Sequence, residues 1–233
     1  MQMQADGLLV YSAGAVAPPL QYALNVFDRK EGISSRFVAG KPENLLKAIA
    51  LTRKGDVMSC GAEYVHDEAE DRGLFKAGTR RSLGYRRSVL IVQEGNPRGI
   101  TRLEDLTEPG IRIGIAVGGC LKGVWDDVCS KAGVTEVVRR NIVGHADACG
   151  TLMGLIHSNK VDVVFGWNAF KNIWLETCDA VELPRDIQIF RSTAAQVVTY
   201  TRDEALSRKL IDFLTSTEGR RIYEEHGWLH VPS

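Results

Sequence analysis

Short β-rich runs alternate with amphipathic helical stretches along the whole chain, and this alternation restricts the fold more than any other feature. Leu8 to Tyr11 reads as a strand. Pro19 to Lys30 reads as a helix, with Leu20, Leu24 and Phe27 recurring at spacings of three and four. Ser35 to Val38 is a short strand, Pro42 to Lys54 a second helix with Leu45, Leu46 and Ile49 on one face, and Asp56 to Met58 a third strand. Further strands are expected over Arg87 to Gln93, Ile111 to Ala116, Val161 to Phe165 and Ala195 to Thr201. Helices are expected over Leu121 to Ala132, Asp147 to Asn159, Glu204 to Thr215 and Glu218 to His226. Such a chain folds as α/β, with mostly parallel sheets flanked by helices. The two strong strands 87–93 and 195–201 read as crossings between lobes. They divide the chain into a first lobe of residues 1–86 plus 195–233 and a second of residues 87–194, with a ligand cleft expected between them.

The totals narrow the function classes. The 233 residues are enough for two lobes of about 100 residues each. Lys plus Arg number 29 against 29 for Asp plus Glu, so the basic excess of a nucleic-acid binder is missing. No apolar run reaches the roughly 18 residues of a membrane span. The start, MQMQAD, has neither the basic residues nor the apolar stretch of a secretory signal. That fits a cytosolic chain or one whose signal has been removed. Five cysteines, Cys60, Cys120, Cys129, Cys149 and Cys178, include no C-x-x-C pair, so no structural zinc site is signalled. A cysteine nucleophile would need a base such as His145 beside it. No catalytic signature accompanies it, so the chain is expected not to be an enzyme and no cofactor is expected.

The strand ends carry the chemistry. In LVYSAGAVAPPL an apolar run stops at Ser12, Ala13, Gly14 and Ala15, and Pro18 and Pro19 then suit a first helical turn. Small residues there leave backbone N–H groups open to a visitor, and the helix dipole favours an anion. The alternative is a tight turn packed on a neighbouring helix. The construction recurs at Gly40-Lys41-Pro42, where a lysine opposes the dipole unless it is aimed at a bound anion. Ser59-Cys60-Gly61 ends the third strand. Gly118-Gly119-Cys120, Gly144-His145-Ala146 and Gly166-Trp167-Asn168 repeat the pattern in the second half. The tryptophans other than Trp167 and the paired arginines read as packing and solvated residues, although Arg86 or Arg87 near the crossing could face the cleft.

The segments VYSAGAVAPPL, GDVMSCGAEY, SVLIVQEGNPRGITRLEDLTEPGIRIGIA, NKVDVVFGWNAF, AVELPRDIQI and LIDFLTSTEGRRIYEEHGWL follow one another as in a known family. The chain resembles the type II periplasmic solute-binding proteins, and within them the molybdate- and tungstate-binding branch. The resemblance implies a two-lobed periplasmic-binding-protein-like fold, a small anionic solute, delivery to an ABC transporter permease, and a periplasmic monomer whose signal peptide has been removed. It implies ligand contacts at Ser12, Ala13, Gly14, Ala15, Gly40, Lys41, Ser59, Cys60, Gly61, Gly118, Gly119, Cys120 and Trp167. The chain departs from the family's pattern where Ala15 and Lys41 replace serines, Trp167 replaces a tyrosine and Gly166 replaces a carboxylate. Cys60 and Cys120, with His145 and an indole, would suit a thiophilic ligand such as a soft metal, an arsenic or selenium species or a small thiol. The same two cysteines could instead form a disulfide. The effector domain of a LysR-type regulator shares the architecture and is the alternative of another class.

Overall fold

The computed structural model describes residues 5–174 and 177–231, so Met1 to Gln4, Leu175, Glu176, Pro232 and Ser233 lie outside it. In chain order the elements are β1 (Ala5–Ala13), α1 (Ala17–Glu31), β2 (Ile33–Gly40), α2 (Pro42–Thr52), β3 (Val57–Cys60), α3 (Glu63–Asp71) and β4 (Arg81–Gln93). There follow β5 (Ile113–Ala116), α4 (Val124–Ala132), α5 (Thr135–Arg139), β6 (Ile142–Ala146), α6 (Cys149–His157), β7 (Val163–Trp167) and α7 (Phe170–Ile173). The chain closes with β8 (Cys178–Glu182), β9 (Phe190–Val197), α8 (Glu204–Thr215) and α9 (Thr217–Glu225). Two compact units result, one of residues 5–85 with 192–231 and one of residues 86–191. The chain leaves the first unit within β4 and returns to it within β9.

In the first unit β2, β1 and β3 run parallel, and β9 lies antiparallel against β3. The sheet is covered by helices whose apolar stripes follow the helical period. In α1, Leu20, Ala23, Leu24 and Phe27 are buried at steps of three and four, and Gly32 closes the helix in the left-handed region. The expected helix 218–226 is α9. Ser216 ends α8, and its hydroxyl accepts from the Gly219 N–H at 3.2 Å to begin α9. A Cβ on Gly219 would stand 2.3 Å from the Phe213 carbonyl oxygen, so this sharp corner admits only glycine. The closing STEGRRIYEEHGW motif is therefore a packing motif.

In the second unit β6, β5 and β7 are parallel, and β4 runs antiparallel to both β7 and β8. The NPRGITRLEDL motif makes a compact turn. Asn96 takes a left-handed conformation and exchanges two side-chain hydrogen bonds with the Ile100 backbone. The Asp105 carboxylate accepts from the Thr101 and Arg102 N–H groups, and those bonds hold its pKa down. Arg112 grips the buried Asp162 through Nη2 at 2.7 Å and Nε at 3.2 Å, tying the approach to β5 to that of β7.

Several elements differ from the sequence expectation. Gly144-His145-Ala146, read as a small-residue approach to a helix, is the end of strand β6. The expected helix 121–132 begins at Val124, because Gly123 sits at φ 78° and interrupts it. The strand expected at 195–201 lies earlier, at Phe190–Val197, and the one expected at 87–93 starts at Arg81. Helix α3 and strand β8 were not foreseen. No helix among the described residues is long and apolar enough to cross a membrane.

Candidate functional site

Strand register in the first unit brings three of the expected loops into one row. Ser12 of β1 lies opposite Ala39 of β2 and Ser59 of β3, and Ala13 lies opposite Gly40. Each strand then feeds a helix whose start has no side-chain cap: Val16 before α1, Lys41 before α2 and Ala62 before α3. Such starts present backbone donors and the positive end of the helix dipole. The turn Gly14–Val16 is a single 3-10 turn, and a Cβ built on Gly14 would meet nothing within 4 Å. Lys41 is exposed, and Ala15 is half-buried.

The two serine side chains of this row turn inward. Ser12 is fully buried, and its hydroxyl donates to the Ala13 carbonyl at 3.1 Å. Ser59 Oγ is also buried, beside the Tyr223 hydroxyl, and neither oxygen has a well-formed hydrogen bond. Burial pushes the Tyr223 phenol up. Cys60 Sγ accepts from the Ala62 N–H at 3.4 Å. Deeper in the unit, His66 Nδ1 meets Gln196 Oε1 at 3.0 Å, and Gln196 Nε2 donates to Glu70 at 2.7 Å. Because the Gln196 amide nitrogen is committed to Glu70, its oxygen accepts and His66 carries its proton on Nδ1. Burial lowers the His66 pKa and keeps the ring neutral.

The second unit arranges different chemistry at its strand ends. Val117 N–H donates to the Ala146 carbonyl at 2.8 Å, joining the segments that follow β5 and β6. A Cβ on Gly118 would stand 2.7 Å from the Asp147 carbonyl oxygen, and Gly119 sits at φ 66°. The two glycines thus permit the close approach and the turn that deliver Cys120. Cys120 Sγ lies 3.1 Å from Sγ of Cys149, the first residue of α6. The Trp167 indole N–H donates to Cys120 Sγ at 3.2 Å, and the buried Arg86 guanidinium stands 4.9 Å from the Trp167 ring centre. The Cys149 thiol, the Arg86 charge and the Trp167 N–H all favour a Cys120 thiolate, so its pKa falls. Cys149, facing that sulfur, is raised.

Trp167, expected as a ligand-lining ring, is fully buried and spends its only polar atom on Cys120. His145 is exposed on β6, opposite Ile115. Among the described residues no three His, Cys, Asp or Glu side chains are placed to hold a metal ion. Nor do Cys60 and Cys120 form a disulfide, since all five cysteines are free thiols and the sulfur beside Cys120 is that of Cys149. Sequence reasoning passed over Cys149 and left Arg86 as only one of two arginines able to face a ligand. Cys149 opens a helix straight after a strand-end segment, the same signal that singled out Cys120.

Residues 8–229 match the family described as bacterial extracellular solute-binding protein. The molybdate-binding protein ModA of Mycobacterium bovis is 24% identical over 209 residues, covering 84% of this chain and 74% of that protein. A crystal structure of PEB3 with bound L-phospholactate superimposes with a TM-score of 0.87 at 21% identity, covering 97% of this chain and 100% of the other. The periplasmic molybdate-binding protein of Azotobacter vinelandii superimposes with a TM-score of 0.77 at 16% identity, with 97% and 100% covered. Both likenesses extend over essentially the whole of this α/β chain, and the two structures share its fold. The chain belongs to the bacterial extracellular solute-binding protein family.

Proposed function

We propose that this chain is the solute-binding component of an ABC uptake system, outside the cytoplasm, and that it captures a small anion of the molybdate or tungstate type. One observation carries the reading: the register that lines up Ser12, Ala39 and Ser59 at the ends of three parallel strands, each followed by a helix start with no side-chain cap. Backbone N–H groups at such starts replace the water of an oxyanion without the cost of ordering long side chains. The serine hydroxyls of this row are buried, so recognition falls to the backbone of residues 13–15, 40–41 and 60–61 and to the Lys41 charge. The ModA relatives support the oxyanion class. A small phosphorylated carboxylate is the second reading, favoured by the L-phospholactate bound to PEB3.

The test is thermal unfolding of the full chain with molybdate, tungstate, sulfate, phosphate and phospholactate, each at millimolar concentration. A ligand at 100 times its Kd adds about 2.7 kcal/mol of stability. A clear upward shift in Tm with molybdate or tungstate supports the first reading. A shift with phospholactate alone supports the second, and none with any of the five contradicts both.

A further inference from the structure

We propose that Cys120 and Cys149 are a reversible dithiol–disulfide pair in the second unit, closed by an organic disulfide, which staples the loop after β5 to the first turn of α6. Their sulfurs are 3.1 Å apart, about 1 Å beyond the length of a disulfide bond. The backbone already holds the two segments together through the Val117 N–H to Ala146 carbonyl bond and the contact of Gly118 with the Asp147 carbonyl. The two segments are thus held side by side by their backbones, with the two sulfurs already in contact.

The other three cysteines are placed differently. Cys60 belongs to the first unit, where its sulfur accepts from the Ala62 N–H. Cys129 is fully enclosed, with its thiol pushed up to about 12 by burial. Cys178 is pushed up to about 11 by burial and donates to the Trp174 carbonyl. Cys120 and Cys149 keep 7% and 5% of their surface exposed. The Trp167 N–H and the Arg86 charge stabilise a Cys120 thiolate, the form that attacks a disulfide.

The exchange balances as follows. Cys120 thiolate attacks one sulfur of R–S–S–R, forming Cys120–S–S–R and expelling R–S⁻. The Cys149 thiol gives up its proton to solvent, and its sulfur attacks Cys120 Sγ and expels the second R–S⁻. Both thiolates leave as R–SH at neutral pH, so two protein thiols are oxidised and one organic disulfide is reduced. Closure converts the charged acceptor of the Trp167 N–H into a neutral disulfide sulfur and fixes the Gly118–Cys120 turn. Any effect of closure on solute affinity rests on the function proposed above, whereas formation of the bond does not.

The test equilibrates the full-length chain with graded ratios of oxidised to reduced glutathione, quenches with acid, alkylates the free thiols, and maps peptides without reduction. The expected result is loss of two of the five thiols and one cross-link, Cys120 to Cys149, reversed by dithiothreitol. The variant Cys149→Ser should stop at a glutathione adduct on Cys120, and the double variant Cys129→Ala with Cys178→Ala should behave as the parent. Five alkylated thiols at every ratio, or a cross-link through any other cysteine, overturns the proposal. Should Cys149→Ser fail to fold, the cross-link map of the parent chain decides alone. Molybdate titration of the open and closed forms is a separate readout: the cross-link without any anion binding contradicts the solute reading and leaves the dithiol pair standing.

Discussion

The strand ends of the two units solve different problems with the same architecture. In the first unit Ser12, Ala39 and Ser59 stand in one row, the two serine hydroxyls are buried, and the helix starts that follow have no side-chain cap. In the second unit the corresponding space under the loops is filled by Cys120, Cys149, Trp167 and Arg86, which bond or stack with one another. The first arrangement ends in three helix starts with no side-chain cap. The second uses its side chains on itself, so there the loops are held in place by the cluster beneath them. The comparison teaches that a small-residue strand end is not by itself a statement about side-chain recognition.

Removing the filling of the second unit should break that contrast most sharply. Trp167→Ala deletes a fully buried ring, the donor to Cys120 and the surface on which Arg86 stacks. The expected cost is about 3–5 kcal/mol, read by urea unfolding. A cost below about 1 kcal/mol would mean the cluster is not what holds these loops.

Next in size is Arg112→Ala, expected to cost about 2 kcal/mol by stripping hydrogen bonds from a buried carboxylate. Burial raises the Asp162 pKa, but its bonds to Arg112 and the Arg112 charge outweigh that, and the net shift is downward. A carboxylate held below its usual value stabilises the fold above about pH 3.9 and loses that contribution as pH falls through the lower folded value. The parent's acid-side loss of stability should therefore be partly absent in Arg112→Ala.

The first unit carries its own pH signature. His66 is buried and its pKa is lowered, chiefly by that burial. The unfolded chain takes up a proton at this site below about pH 6.5 while the folded chain does not, so stability falls as pH drops below that value. Replacing His66 by Gln should flatten the curve just below pH 6.5, as measured by Tm across a buffer series. An unchanged slope would remove His66 from the account.

The smallest stability effect is expected at Ser59. Its hydroxyl is buried without a well-formed partner, so Ser59→Ala should change stability by no more than about 1 kcal/mol in either direction. Because that hydroxyl lies beside Tyr223 in the interior, the same variant should leave anion affinity within about threefold, or roughly 0.7 kcal/mol. A tenfold loss would move recognition from backbone to hydroxyl and erase the contrast between the units.

The α/β alternation was legible because apolar spacing reports burial directly. In α1 the residues at steps of three and four are the buried ones, and in β3 every residue is buried. Helix α3 escaped notice because EYVHDEAED is mostly charged, and its buried face is made of Val65, His66 and Ala69. Strand β6 escaped because IVGHA exposes Val143 and His145 and includes a glycine. The row of strand ends in the first unit could be read from small residues preceding helices, a local signal. The cluster in the second unit could not, because Cys120 and Cys149 are 29 positions apart and Trp167 a further 18 beyond Cys149. Arg86 was read partly as a solvated member of an arginine pair, since only tertiary packing buries one of the two. That the Ser12 and Ser59 side chains are buried was not legible either, because burial of a strand-end serine depends on what packs over it.

Calorimetric titration of the chain with molybdate, beside the variant Lys41→Ala, tests the central claim most directly. Lys41 is exposed at the start of α2, where its charge opposes the helix dipole. The account predicts saturable one-to-one binding to the parent, weakened about tenfold, or 1.4 kcal/mol, in Lys41→Ala. Binding heat absent for molybdate, tungstate and phospholactate alike, or a parent affinity indifferent to Lys41, would contradict it.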